Sequence, residues 1–457
     1  MNNLPEAVSS LSTIRVYGKV RRIVGLVVEG HCPRSSIGSL CEITPLEEGP
    51  VVPAEIVGYS NDQALLMPLG ELRGLGPGSL IRVRRESAAI KVGDQLLGRV
   101  IDGMEAPLDE GPPLHLQEEM PLYGLPPGPM QRRTITEPID LGIRAINGLL
   151  TCGLGQRMGI MAGSGVGKSV LLGMMAKYAT ADVNVIALIG ERGREVREFI
   201  ERDLGPEGLE RSVIVVVTSD QSPLLRMRGA FVATAIAEYF SGRGKNVLLM
   251  MDSVTRFAMA MREIGLAVGE PPTTKGYTPS VFATLPKLLE RAGSFTGKGS
   301  ITGLYTVLVD GDDLTEPVAD AVRSILDGHI VLSRDLAAKN HYPAIDVMMS
   351  TSRVMRDIVR PRHIELAGKI RNVIAVYRDS EDLINIGAYA EGSNPKIDYA
   401  ISRIDAINGF LRQGFDESCS LDETIRQMGS LVSDRKGTDR RRSPRRGRDR
   451  RRPEGSA

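Results

Sequence analysis

The stretch Ala162-Gly163-Ser164-Gly165-Val166-Gly167-Lys168-Ser169 carries the residue types that hold a polyphosphate. Glycines let successive backbone N–H groups turn inward on an anion, and Lys168 supplies the charge that neutralises the β- and γ-phosphates. The Ser169 hydroxyl is the group such loops offer to Mg²⁺, so the spacing calls for a polyphosphate ligand with Mg²⁺ as its metal. Ala162 fills the first position of the G-x-x-x-x-G-K-[ST] pattern and is small enough to fit there. The apolar run Arg157-Met158-Gly159-Ile160-Met161 before the loop predicts a buried strand. The run that opens with Val170 predicts a helix whose N-terminus faces the anion.

Two more apolar runs end in acids. Val247 to Met251 ends in Asp252, 84 residues beyond Lys168, which is how a strand delivers a carboxylate to a magnesium shell. Val185 to Gly190 ends in Glu191-Arg192-Gly193-Arg194-Glu195. Hydrolysis needs a group that holds water in line with the γ-phosphate, and Glu191 is the candidate. The five histidines (His31, His115, His329, His341, His363) and four cysteines (Cys32, Cys41, Cys152, Cys419) show no ligand spacing, so the metal expected is the one that arrives with the nucleotide.

These residues need a scaffold. With 457 residues, 42% apolar and 25% charged, the chain reads as a soluble protein of more than one domain. No run reaches the length of a membrane span and the first residues lack the order of a secretory signal, which predicts a cytoplasmic protein. Residues 1–14, with Leu4, Val8 and Leu11 at helical spacing, form a candidate docking segment. From 15 to 95, six β-branched runs (Val16 to Val20, Ile23 to Glu29, Ser39 to Ile43, Ala54 to Tyr59, Ala64 to Met67, Ser79 to Val83) predict a small β-barrel. Residues 96–370 open with a proline-rich crossing from Pro107 to Pro129, read as a linker. After it, strand-like runs at Val183 to Ile189, Ser212 to Val217, Val247 to Met251 and Ile301 to Val309 alternate with helical patterns at Val196 to Arg202, Gly229 to Phe240 and Val318 to Leu326. That alternation predicts a doubly wound α/β core. Residues 371–432 have helical period. The tail, 433–457, has eleven Lys/Arg against four Asp/Glu, a charge of +7 in a chain of net +1, and no means of burying a core, which predicts disorder.

Gly190-Glu191-Arg192-Gly193-Arg194-Glu195, Met251-Asp252-Ser253-Val254-Thr255-Arg256-Phe257, Gly269-Glu270-Pro271-Pro272-Thr273-Thr274-Lys275-Gly276-Tyr277 and Ser350-Thr351-Ser352-Arg353 resemble the rotary F1/V1-type ATPases, from about residue 15 to 430. Gly163 to Met175, with Arg256-Phe257-Ala258-Met259-Ala260 and Leu285 to Gly293, is most similar to the type III secretion ATPases of the flagellar export apparatus. The resemblance implies a RecA-like P-loop doubly wound core between an N-terminal small β-barrel and a C-terminal helical domain. It implies roles as well: Glu191 as the catalytic glutamate, Arg192 near the γ-phosphate, Glu195 as a second acid toward Mg²⁺, Tyr342 stacking on adenine, and Arg353 as an arginine finger reaching a neighbouring subunit. Met261 departs from the pattern, standing where the family has glutamine.

The function implied is an ATP-hydrolysing motor that energises chaperone release and entry of export substrates, working as a homo-hexamer on the cytoplasmic side of the inner membrane. Its implied partners are a stator or regulator subunit, a stalk-like subunit, a membrane export gate and chaperone–substrate complexes. The injectisome secretion system is an open alternative, as is the catalytic subunit of a proton-driven ATP synthase. A silent nucleotide-binding subunit has no need of Glu191. An RNA-translocating ring fits poorly with a barrel whose aromatic residues are Tyr17 and Tyr59 alone, so nucleic acid is not expected as a partner. The tail's charge suits an anionic membrane surface.

Overall fold

The fold is that of a computed structural model, which describes residues 16–85 and 88–432. The docking segment at 1–14 and the Arg-rich tail at 433–457 lie outside the described residues. Six strands come first: β1 Gly18–Val24, β2 Val27–His31, β3 Leu40–Thr44, β4 Val52–Ser60, β5 Gln63–Pro68 and β6 Leu80–Arg85. They close into an antiparallel barrel in the order β1-β2-β5-β4-β3-β6 around Val28, Ile43, Ile56, Leu66 and Ile81. The run Ile23 to Glu29, read above as one strand, is split in two, because Gly25 at φ +56 turns the chain between β1 and β2.

The second unit is a sheet of eight principal strands: β7 Val100–Asp102, β8 Arg157–Ala162, β9 Val183–Glu191, β10 Ser212–Thr218, β11 Val247–Asp252, β12 Ser300–Leu308, β13 Gly328–Leu332 and β14 Ile345–Ser352. Their order is β14-β13-β8-β12-β11-β9-β10-β7, all parallel except the antiparallel β13–β14 pair; Gly293–Ser294 adds a short antiparallel stub on β12. Alternate residues of β9 go to opposite faces. Val185, Ala187 and Ile189 pack with helices Pro223–Gly242 and Val254–Ala267, while Ile186 and Leu188 pack with helix Lys168–Tyr178. Burial on both faces is why these strands read as unbroken apolar runs.

Three elements differ from expectation. The proline-rich crossing is more than a linker, since Glu118–Pro121 pairs with Ala89–Val92 in a two-stranded ribbon. The pattern Val196 to Arg202 is α-helical only in part: helix Gly193–Glu198 continues as a π-helical turn, Phe199–Leu204. The helical C-terminal region starts at Pro361, whose fixed φ suits a first turn, and consists of Pro361–Asn385, Pro395–Leu411 and Leu421–Val432. Among the described residues no helix is long and apolar enough to cross a membrane.

The barrel is fastened to the sheet unit by charge. Arg228, on helix Pro223–Gly242 and 2% exposed, donates to the Gly103 carbonyl at 3.0 Å and pairs at 3.5 Å with both Glu55 of β4 and Glu105. The Tyr123 hydroxyl donates to the other Glu55 oxygen at 2.6 Å. Burial pushes the Glu55 carboxyl above its ordinary range, against the pull of Tyr123 and Arg228.

Candidate active site

Strand β8 ends at Ala162, and the chain loops over itself before helix Lys168–Tyr178 begins. Gly165 (φ +80) and Gly167 (φ +86) occupy left-handed backbone that a side chain resists, and they turn the loop outward as a cradle at the helix N-terminus. The loop walls a cavity of about 560 Å³. Gly163, Ser164, Gly165, Gly167, Lys168, Ser169 and Val170 line it, and the neighbouring Val166 is buried. The parallel order carries β9 and β11 to the same end of the sheet, so Glu191 and Asp252 arrive where Lys168 points.

The Lys168 ammonium lies 2.5 Å from Oδ1 of Asp252 and 3.6 Å from Oε1 of Glu191. Asp252 is 4% exposed, and the same Oδ1 accepts from the Thr306 hydroxyl at 2.7 Å. Burial pulls the Lys168 ammonium down, but the two carboxylates outweigh it and leave its pKa raised. Burial first, and the Asp252 charge second, push Glu191 up to about 7 against the pull of Lys168; Glu195 beside it adds to the push. Arg192 and Glu195 also line the cavity, joined by an ion pair of 3.3 Å with the Arg192 side chain at the surface. Glu191, Glu195 and Asp252 thus gather in the same region as the Ser169 hydroxyl, oxygen donors of the kind a divalent cation arriving on phosphates takes.

Tyr342 lies next door. Its ring edge passes so close to Gly167 that a Cβ there would lie 3.3 Å from Cε1. With Val170, Met174, Pro343 and Phe415 it lines a mainly apolar pocket of about 310 Å³ that shares Gly167 and Val170 with the phosphate cavity. An apolar pocket of this size suits a flat ring. Arg353 is not brought to this site. It follows β14 at the sheet's edge, exposed, with Nη2 donating to the Arg323 carbonyl at 3.3 Å.

Sequence reading passed over two residues of this region. Arg256, on the first turn of the helix that Ser253 caps, lines the cavity with a buried Nε that has no hydrogen-bond partner. Its signal was present in the Asp252-Ser253-Val254-Thr255-Arg256 run, one turn beyond the acid. Phe415 comes from the C-terminal helical region, and no local spacing announces it.

Known proteins resemble this chain in both sequence and fold. Residues 142–352 match the model of the ATP synthase alpha/beta family, nucleotide-binding domain, and residues 359–430 match the T3SS EscN ATPase C-terminal domain. The chain is 54% identical over 431 residues to the flagellum-specific ATP synthase of Bacillus subtilis (strain 168), covering 94% of this chain and 98% of that protein. It is 50% identical over 431 residues to the type 3 secretion system ATPase of Xanthomonas euvesicatoria, covering 94% and 97%. The solved structure of the assembled ATPase EscN, from the type III secretion system of enteropathogenic E. coli, superposes with a TM-score of 0.85 at 47% identity, covering 91% of this chain and all of that one. The chain therefore belongs to the ATP synthase alpha/beta family, within its branch of flagellum-specific ATP synthases and type III secretion ATPases.

Proposed function

We propose that this chain hydrolyses ATP at the interfaces of a homo-hexameric ring and couples that reaction to flagellar type III protein export. The observation that carries the reading is the Lys168 ammonium between Asp252 and Glu191, at the mouth of a phosphate loop. Lys168 and the loop N–H groups hold the β- and γ-phosphates. Glu191, with its pKa near 7, accepts a hydrogen bond and then a proton from the attacking water. Ser169, Asp252 and Glu195 would hold Mg²⁺, which would supply neutralising charge on the phosphates. Arg192 and Arg256 face the γ end, and Tyr342 holds the base. Arg353 completes the site of the neighbouring copy.

EscN has been solved both assembled and in complex with its central stalk EscO, which supports a stalk-like partner for this ring. We extend the same reading to a stator or regulator subunit, an export gate, chaperone–substrate complexes and a position beside the inner membrane. The tail, with its +7 charge, adds contact with anionic lipid, each basic residue contributing about 1 kcal/mol near the surface. Co-sedimentation with anionic vesicles should therefore weaken in a chain ended at 432. The injectisome reading is supported by the similarity to EscN and to the Xanthomonas protein. The test is complementation of a flagellated bacterium lacking its export ATPase. Restored secretion of flagellar proteins by this chain, and not by Glu191→Gln, is expected; restoration only in an injectisome mutant assigns the other system, and restoration by Glu191→Gln overturns the catalytic role.

A further inference from the structure

One wall of the nucleotide cavity takes no part in the mechanism above. It is built by the π-helical turn Phe199–Leu204, which packs on helix Lys168–Tyr178. A π-turn sacrifices regular hydrogen bonding and is found mostly where function needs it. The approach is tight: a Cβ at Gly173 would lie 2.8 Å from both the Cβ and the carbonyl oxygen of Asp203. Glycine at 173 is therefore what lets the turn reach this helix. Ser169 and Val170 stand four and three residues before Gly173, on the same helical face, so the turn lies alongside the first turn of the phosphate-loop helix.

The turn presents Arg202. Its Nε donates to Oδ1 of Asp203 at 3.0 Å, and the Asp203 carboxylate is buried at 3% of its side-chain surface while Arg202 is 66% exposed. The two terminal amino groups of Arg202 have no hydrogen-bond partner among the described residues. Arg202 nonetheless lines the same cavity as Lys168, Ser169 and Val170. The ends of the ligand are fixed by other groups: Lys168 and Glu191 mark the γ-phosphate, and the Tyr342–Phe415 pocket, reached past Gly167 and Val170, marks the base. Arg202, beside Ser169 and Val170, stands between those ends.

We propose that Arg202 is a nucleotide-contacting residue whose free Nη groups fork onto the phosphate nearest the ribose, with Asp203 as its positioning residue. This rests on the ATP-hydrolysing reading above. A planar guanidinium anchored through Nε has its two Nη donors preset for a phosphate. The phosphate nearest the ribose is the same in ATP and ADP and its charge does not change during hydrolysis. Arg202 therefore contributes equally to ground and transition states, and its loss appears in binding and not in turnover.

The experiment compares wild type, Arg202→Lys and Arg202→Ala in the full chain, reading the Kd of a fluorescent ADP analogue and steady-state ATP hydrolysis. In Arg202→Ala the Kd for ADP and the KM for ATP should each rise about tenfold, as expected for loss of a charged hydrogen-bonded pair, with kcat within about threefold of wild type. Arg202→Lys, which keeps the charge and loses the fork, should fall between the two. Unchanged Kd and KM in Arg202→Ala, or a fall in kcat with KM unchanged, overturns the assignment. Wild-type protein that binds no ADP analogue overturns the ATPase reading and this assignment with it, whereas normal wild-type binding that survives in Arg202→Ala overturns only this assignment.

Discussion

Lys168 and Asp252 stand 84 positions apart in the chain and 2.5 Å apart in space, ammonium to carboxylate, with Asp252 4% exposed. Removing the lysine strips a buried carboxylate of its counter-charge and leaves only the Thr306 hydroxyl on it. Lys168→Ala should therefore lose nucleotide binding and turnover together, and should also unfold in urea with a stability loss on the order of 3 kcal/mol. Urea titration and ADP-analogue binding on the same preparation check both halves.

Glu191 gives a pH signature. Its carboxyl is raised to about 7, by burial above all, and it must be ionised to polarise water. The kcat/KM of wild type should rise through pH 7 on its acid side. Glu191→Gln should bind ATP nearly as wild type does, turn over at least about 100-fold more slowly, and lack that limb. Stability moves the other way. An acid whose folded pKa exceeds its unfolded value favours folding below the unfolded value of about 4.5, and that contribution is lost as pH rises through about 7. Glu191→Gln should consequently gain thermal midpoint over wild type at pH 8 and lose the advantage near pH 4.5. Equal midpoints at pH 8 would contradict the raised carboxyl.

Arg228 is the joint between barrel and sheet, pairing with the buried Glu55 and the half-buried Glu105. Arg228→Ala leaves Glu55, 3% exposed, with only Tyr123 to satisfy it. Breaking a buried pair from one side costs about 3–5 kcal/mol. Replacing Arg228 and Glu55 together by apolar residues of similar volume should recover most of that loss. Chemical unfolding of the single and double variants distinguishes a charge left unpaired from a packing defect.

The phosphate site was legible because its parts are either contiguous or signposted. Residues 162 to 169 are one run, and Glu191 and Asp252 each close an apolar strand whose parallel neighbours force their ends to the same side. What was not legible depends on direction and on distance. Arg256 lies on a helix whose period names its face but not what that face overlooks. Phe415 reaches the pocket beside Tyr342 only because the C-terminal helices pack on the short helix Arg144–Leu149 and the loop after Leu411 crosses Lys177 and Tyr178. The edge strand Val100–Asp102 is three residues long amid glycine and proline, too short for periodicity to register, and it is fixed by pairing with β10. The packing of the π-turn Phe199–Leu204 is invisible for a similar reason, since what lets it approach is the absent side chain of Gly173 on another helix.

Arg353 tests the ring. It follows the edge strand β14, two strands from β8, and lines no wall of its own nucleotide cavity. Its Nη2 rests on the Arg323 carbonyl in the last turn of helix Pro317–Ile325, where the helix dipole favours a cation, and the rest of the side chain is open to a neighbour. A finger donated across an interface supplies charge to the transferring phosphoryl group only in the assembled state, so specific activity should rise with protein concentration. Chains carrying Arg353→Ala keep Glu191, and chains carrying Glu191→Gln keep the finger. Each is inactive alone, but in randomly mixed rings about a quarter of interfaces pair an intact Glu191 with an intact Arg353 from the next copy. Activity should therefore return to a fraction of wild type on mixing, and should not return when both substitutions sit in every chain. Rings shown by mass measurement to be mixed, yet still inactive, would place Arg353 outside the neighbour's site.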